Sequence, residues 1–76
     1  MTNEETNKAL DSVRRHLTAM LEKLELLQAE QEEDLKTITG TERVMTETSL
    51  AQTKKLIDEI KKSHANIEAV LKSKSS

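Results

Sequence analysis

The chain has 76 residues, with no Cys, no Pro, no aromatic residue and a single Gly; 14 acidic and 12 basic residues leave a formal charge of −2. That length allows one small domain with a thin core, and the missing cysteines exclude disulfides and thiolate metal sites, so association is the remaining way to stabilise it. A nearly balanced charge provides no global field to draw in nucleic acid or a membrane surface.

The first predicted element is a long helix from about residue 3 to about residue 38. Thr2 and Glu5 have the spacing of a capping box, in which each side chain satisfies a backbone N–H of the first turn. Glu4 with Lys8, and Asp11 with Arg15, are acid-before-base pairs four residues apart, an order that supports a helix. Apolar residues then fall at Leu10, Val13, Leu17, Met20, Leu24 and Leu27, in alternating steps of three and four. This spacing puts them on one helix face, the seam of a coiled coil or bundle, and Leu21 widens that seam. Past Leu27 the pattern changes, because Gln31 and Asp34 are polar while Leu35 and Ile38 are apolar. The change reads as a stutter in the repeat, with Gln31 as one polar layer and a local loss of supercoiling. Glu30, Glu32, Glu33 and Asp34 read as a solvated acidic face.

Gly40 reads as the helix terminator, in the position where a left-handed residue closes the last turn. The predicted turn spans about 39–41, with Thr39 (paired with Glu42) or Thr41 as N-cap of a second helix over about 42–72. There Leu50, Ile57, His64 and Leu71 alternate with Thr53, Ile60 and Ile67 in the same rhythm, and Leu56 and Val70 widen the stripe. Residues 73–76 read as a disordered basic and serine-rich tail.

Folded back at Gly40, the two helices bring together residues whose numbers sum to about 80. Leu10 then lies by Val70, Val13 by Ile67, Met20 by Ile60, Leu24 by Leu56 and Leu35 by Met45, apolar against apolar. The charge up to Gly40 is −4 and beyond it +2, which favours the same antiparallel arrangement. The expected fold is therefore all-α: a single-domain antiparallel two-helix hairpin, a helical coiled coil that assembles into a bundle with itself or with a partner.

Catalysis finds no support in the residue pattern. There is no Cys and no glycine-rich phosphate loop, and the carboxylates sit on charged helix faces. No Glu precedes His16 or His64 by three residues, as a di-metal bundle would require. The two histidines have numbers that sum to 80 and are expected near one another beside the seam, as polar positions that help set register. No metal, cofactor or small-molecule substrate is expected. Small helical hairpins that dimerise and bind RNA are one precedent, but the negative charge, the three arginines and the missing aromatics argue against nucleic acid. No apolar run reaches the roughly 20 residues of a membrane span, and the polar start does not resemble a signal peptide, so a cytoplasmic or nuclear protein is expected.

The function expected is that of a non-enzymatic helical interaction module, a small coiled-coil subunit or adaptor that completes a helix bundle. A small helical chaperone masking an apolar helix of a client is the alternative, and an RNA-binding regulator the second. The residues expected to form the core seam and the partner contacts are Leu10, Val13, Leu17, Met20, Leu21, Leu24, Leu27 and Leu35 on the first helix. On the second they are Leu50, Leu56, Ile57, Ile60, Ile67, Val70 and Leu71.

Overall fold

Two long helices fold against each other with no strand among the described residues: α1 spans Asn3–Asp34 and α2 spans Gly40–Ser75. The structure is a computed structural model that describes residues 3–75, with side chains described over 4–73. The expected capping residue Thr2 lies outside the described residues. Of the two expected pairs on α1, Glu4 and Lys8 stand 3.7 Å apart, and Arg15 reaches Asp11 at 2.9 Å. The hairpin measures 56 × 18 × 14 Å, close to the length of a 36-residue helix at about 1.5 Å per residue.

Chain reversal occurs earlier than its sequence signals suggest. α1 ends at Asp34 rather than near residue 38, and the connection occupies 35–39. Here the hydrogen bonding tightens: Lys36 N–H donates to the Glu33 carbonyl and Thr37 N–H to the Asp34 carbonyl, each across three residues at 3.1 Å. The Asp34 carbonyl also accepts from Ile38 N–H at 3.2 Å and from the Thr37 hydroxyl at 3.3 Å. A threonine hydroxyl that competes for backbone groups weakens helix continuation at this point. Gly40 is the first residue of α2, not the closing residue of α1, and Thr39 takes the N-cap position before it. Its φ of +67° is the left-handed conformation that glycine adopts without a Cβ penalty. At the other end α2 continues to Ser75, so 73–75 are helical where a disordered tail is expected.

A charged residue from α2 clamps the reversal. Arg43 donates from Nη1 to the Leu35 carbonyl at 2.8 Å and from Nε to Glu47 at 3.0 Å. The last turn of α1 carries no basic residue of its own, and the Arg43 guanidinium supplies the positive charge that its C-terminal carbonyls favour.

The seam of α2 follows the expected spacing. Leu50, Thr53 and Ile57 are buried, and Thr46, Ile60, His64, Ile67 and Leu71 are half-buried in the same alternation. The seam of α1 differs from expectation. Its half-buried positions run Asn7, Leu10, Arg14, Leu17, Leu21, Leu24, Gln28 and Gln31, continued in the connection by Leu35 and Ile38, an unbroken seven-residue repeat without a stutter, with Thr6 and Asp11 half-buried on its flanks. Val13, Met20 and Leu27 lie outside this seam and are exposed, while Leu21 and Leu35 lie within it. Both stripes share Leu10, Leu17 and Leu24. Only the one through Leu21 continues past the acidic Asp34 to Leu35 and Ile38, and so matches the full length of α2.

Two side-chain contacts fix the register. Thr18 Oγ1 lies 3.1 Å from His64 Nε2, and Thr53 Oγ1 lies 2.9 Å from Gln31 Oε1. Paired residue numbers thus sum to 82 and 84, against the 80 expected from a turn centred on Gly40. His16 is exposed, and Thr18 takes the place opposite His64 in which His16 is expected.

Candidate functional site

In heptad terms the α1 seam has Arg14, Leu21, Gln28 and Leu35 at a and Leu10, Leu17, Leu24, Gln31 and Ile38 at d. On α2, Leu50, Ile57, His64 and Leu71 are a, and Thr46, Thr53, Ile60 and Ile67 are d. In an antiparallel pair the e positions of both helices line one flank of the seam, and the g positions line the other. The two flanks of this hairpin have opposite chemistry.

The e flank is polar. α1 contributes Asp11, Thr18, Glu25 and Glu32, and α2 contributes Glu47, Lys54, Lys61 and Glu68. Around Thr18 lies a shallow open depression of about 320 Å³, lined by Arg14, Arg15, Thr18, His64 and Glu68. Asp11 binds both Arg14 and Arg15, so the two guanidinium groups share one carboxylate on their own helix. Thr18, His64 and Glu68 form a hydroxyl–imidazole–carboxylate series. The Thr18 hydroxyl lies 3.1 Å from the Arg14 carbonyl and 3.1 Å from His64 Nε2; when it donates to the carbonyl, its oxygen accepts from Nε2–H. Glu68 stands 3.6 Å from His64 Nδ1, outside hydrogen-bond distance. The cluster works as a register lock between the helices.

A second lock lies nearer the turn. Thr53 is 4% exposed, and its hydroxyl lies 2.9 Å from the Gln31 amide and 3.0 Å from the Ser49 carbonyl. One hydroxyl proton serves one acceptor. All three groups are satisfied when Thr53 donates to Ser49 and the Gln31 amide turns to donate its N–H to Thr53 Oγ1.

The g flank is apolar. It carries Val13, Met20 and Leu27 from α1, with Leu56 and Val70 from α2, all between 38% and 47% exposed. Asp34 and Glu42 close it at the turn, beside a shallow hollow that Ile38, Met45 and Thr46 share with them. Leu26 and Val44 are also exposed, but they lie on the outer faces of their helices, apart from this strip. Along this strip apolar side chains from both helices line a common surface and stay partly exposed.

Of the residues expected to form seam and partner contacts, the structure brings Leu10, Leu17, Leu21, Leu24, Leu35, Leu50, Ile57, Ile60, Ile67 and Leu71 to the helix–helix seam. It leaves Val13, Met20, Leu27, Leu56 and Val70 together on the g flank. Sequence reasoning missed Arg14 and Gln28 as seam positions and Arg43 as the clamp. The seven-residue spacing from Leu21 and Leu35 is a signal for the first two, whereas the Arg43 contact arises only from the fold-back. Among the described residues, no group of three or more His, Asp or Glu side chains is placed to hold a metal ion. No helix over those residues is long and apolar enough to cross a membrane. In comparisons with protein-family models, with curated proteins and with solved structures, the chain matches none.

Proposed function

We propose that this hairpin is a non-enzymatic helical interaction module that completes a helix bundle through its apolar g flank. The observation that carries this reading is the segregation of Val13, Met20, Leu27, Leu56 and Val70 onto one side of the seam, opposite a flank made of charged residues and Thr18. Elongated apolar strips with polar rims characterise contact surfaces, and bundle helices bury such flanks against further helices. The thin core supports the same reading, since only Leu50, Thr53 and Ile57 are buried among the described residues.

The test is a double substitution, Met20→Lys with Leu56→Lys, compared with the native chain by sedimentation equilibrium and circular dichroism. The native chain should sediment above 8.6 kDa, either alone or in extract from its native cell. The variant should return to 8.6 kDa and remain helical. A native chain that is monomeric in both settings, or an assembly indifferent to the double substitution, overturns the proposal.

A further inference from the structure

We infer that the occupant of the g flank is a second copy of this chain, laid antiparallel across it about a twofold axis at the level of Met20 and Ser63. The inference rests on the reading of that flank as a bundle surface and specifies its partner. Three observations on the hairpin converge on it.

The first is the symmetry of the strip. On α1 the apolar residues are Val13, Met20 and Leu27, evenly spaced about Met20. On α2 the apolar residues of the flank, Leu56 and Val70, lie evenly about Ser63, and its remaining positions, Ser49 and Glu42, lie toward the turn beyond the reach of the mate's α2. The two centres share one level of the hairpin, because Met20 and Ser63 sum to 83, between the 82 and 84 of the two register contacts. A twofold axis perpendicular to the helices at that level stacks α1 on its symmetry mate, with Val13 opposite Leu27 and Met20 opposite Met20. The same rotation sets Leu56 opposite Val70 and Ser63 opposite Ser63. One operation pairs every apolar residue of the strip with another, as an isologous interface requires.

The second is charge. On the turn side of the axis, residues 21–62 have ten acids and seven bases (−3), and the part nearer the termini has four acids and five bases (+1). Antiparallel hairpins set each acidic part on a basic part. Hairpins paired with both turns at one end set −3 against −3, a repulsion that favours the first arrangement.

The third is size. With the axis at Met20 and Ser63, α1 overlaps its mate over residues 6–34 and α2 over 51–75, a length of about 40 Å at about 1.5 Å per residue; across the 18 Å width this gives a footprint of about 700 Å² per copy, close to the roughly 800 Å² that each partner contributes to a stable interface of standard size.

The chain has no native cysteine, so single-cysteine variants of the full chain test the arrangement directly. Met20→Cys and, independently, Ser63→Cys should each oxidise to a disulfide-linked dimer. Val13→Cys mixed with Leu27→Cys should give the mixed dimer in preference to either homodimer. Spin labels on Thr39→Cys should lie on the order of the 56 Å hairpin length apart, compared with about 20 Å if both turns share one end. A homodimer with adjacent turns overturns this arrangement and leaves the bundle reading standing. A chain that is monomeric alone but assembles with a different protein through Met20 and Leu56 overturns self-pairing in the same way. A chain that is monomeric in every setting removes both.

Discussion

Gly40 and Arg43 show how two residues secure the reversal by different means. Nothing lies within 4 Å of where a Cβ on Gly40 would sit, so Gly40→Ala meets no neighbour and its cost is that of the φ of +67° alone. The expected loss is about 1–2 kcal/mol, and Gly40→Asn should lose less because asparagine enters the left-handed region more readily. Urea unfolding of the two variants checks the order, and an alanine variant as stable as native would show that the left-handed turn is dispensable. Arg43 acts through hydrogen bonds. Arg43→Ala removes the donor to the Leu35 carbonyl and is expected to cost about 1 kcal/mol, with Arg43→Lys intermediate because it keeps the charge but not the two-pronged geometry. Both effects should appear as a shift in denaturation midpoint at constant slope.

At the level of the helix, the register of α1 decides which substitutions matter. Ile57 is 4% exposed, and Ile57→Ala should cost about 2–5 kcal/mol, whereas Leu26→Ala, at 63% exposure, should cost under about 0.5 kcal/mol. In dilute protein Leu21→Ala should be more damaging than Met20→Ala, although the two are neighbours in sequence; the reverse order in urea melts would restore the seam through Met20. This distinction explains how far the fold was legible beforehand. On α2 every third and fourth residue of the seam is apolar or small, apart from His64, and no rival stripe competes with it. On α1 two stripes share three leucines, and the exposed one is the greasier, because the true seam includes Arg14, Gln28 and Gln31. Apolar spacing alone selects the stripe with more apolar residues, whereas the fold selects the one that stays in phase with α2 over its whole length. The g flank was therefore present in the sequence, but hidden inside what reads as core. The Gln31–Thr53 layer follows the same logic of phase over greasiness. Replacing both with apolar residues (Gln31→Leu with Thr53→Val) should raise stability by about 1 kcal/mol, while Thr53→Val alone leaves Gln31 without its partner and gains little. A double-mutant cycle that shows additivity would deny the coupling.

For the molecule as a whole, the tightest burial among the described residues lies along residues 50–57 of α2. The buried residues Leu50, Thr53 and Ile57 all lie in the half nearer the turn, where the Arg43 clamp and the Gln31–Thr53 layer also sit. Toward the termini the seam residues are half-buried, and Asn7 places a buried Oδ1 there without a hydrogen-bond partner. Closing the short connection takes little loop entropy, so the hairpin is expected to form from the turn outward and to open from the termini inward. In dilute protein, backbone amide exchange should be slowest across residues 50–57 and quicken steadily toward Asn7 and Leu71; uniform protection along both helices would contradict this. A molecule closed at its turn and most buried across residues 50–57 has a built-in direction of opening. In the proposed bundle, fraying of the helix ends while the turn holds the strip in phase would let a partner exchange without unfolding of the chain.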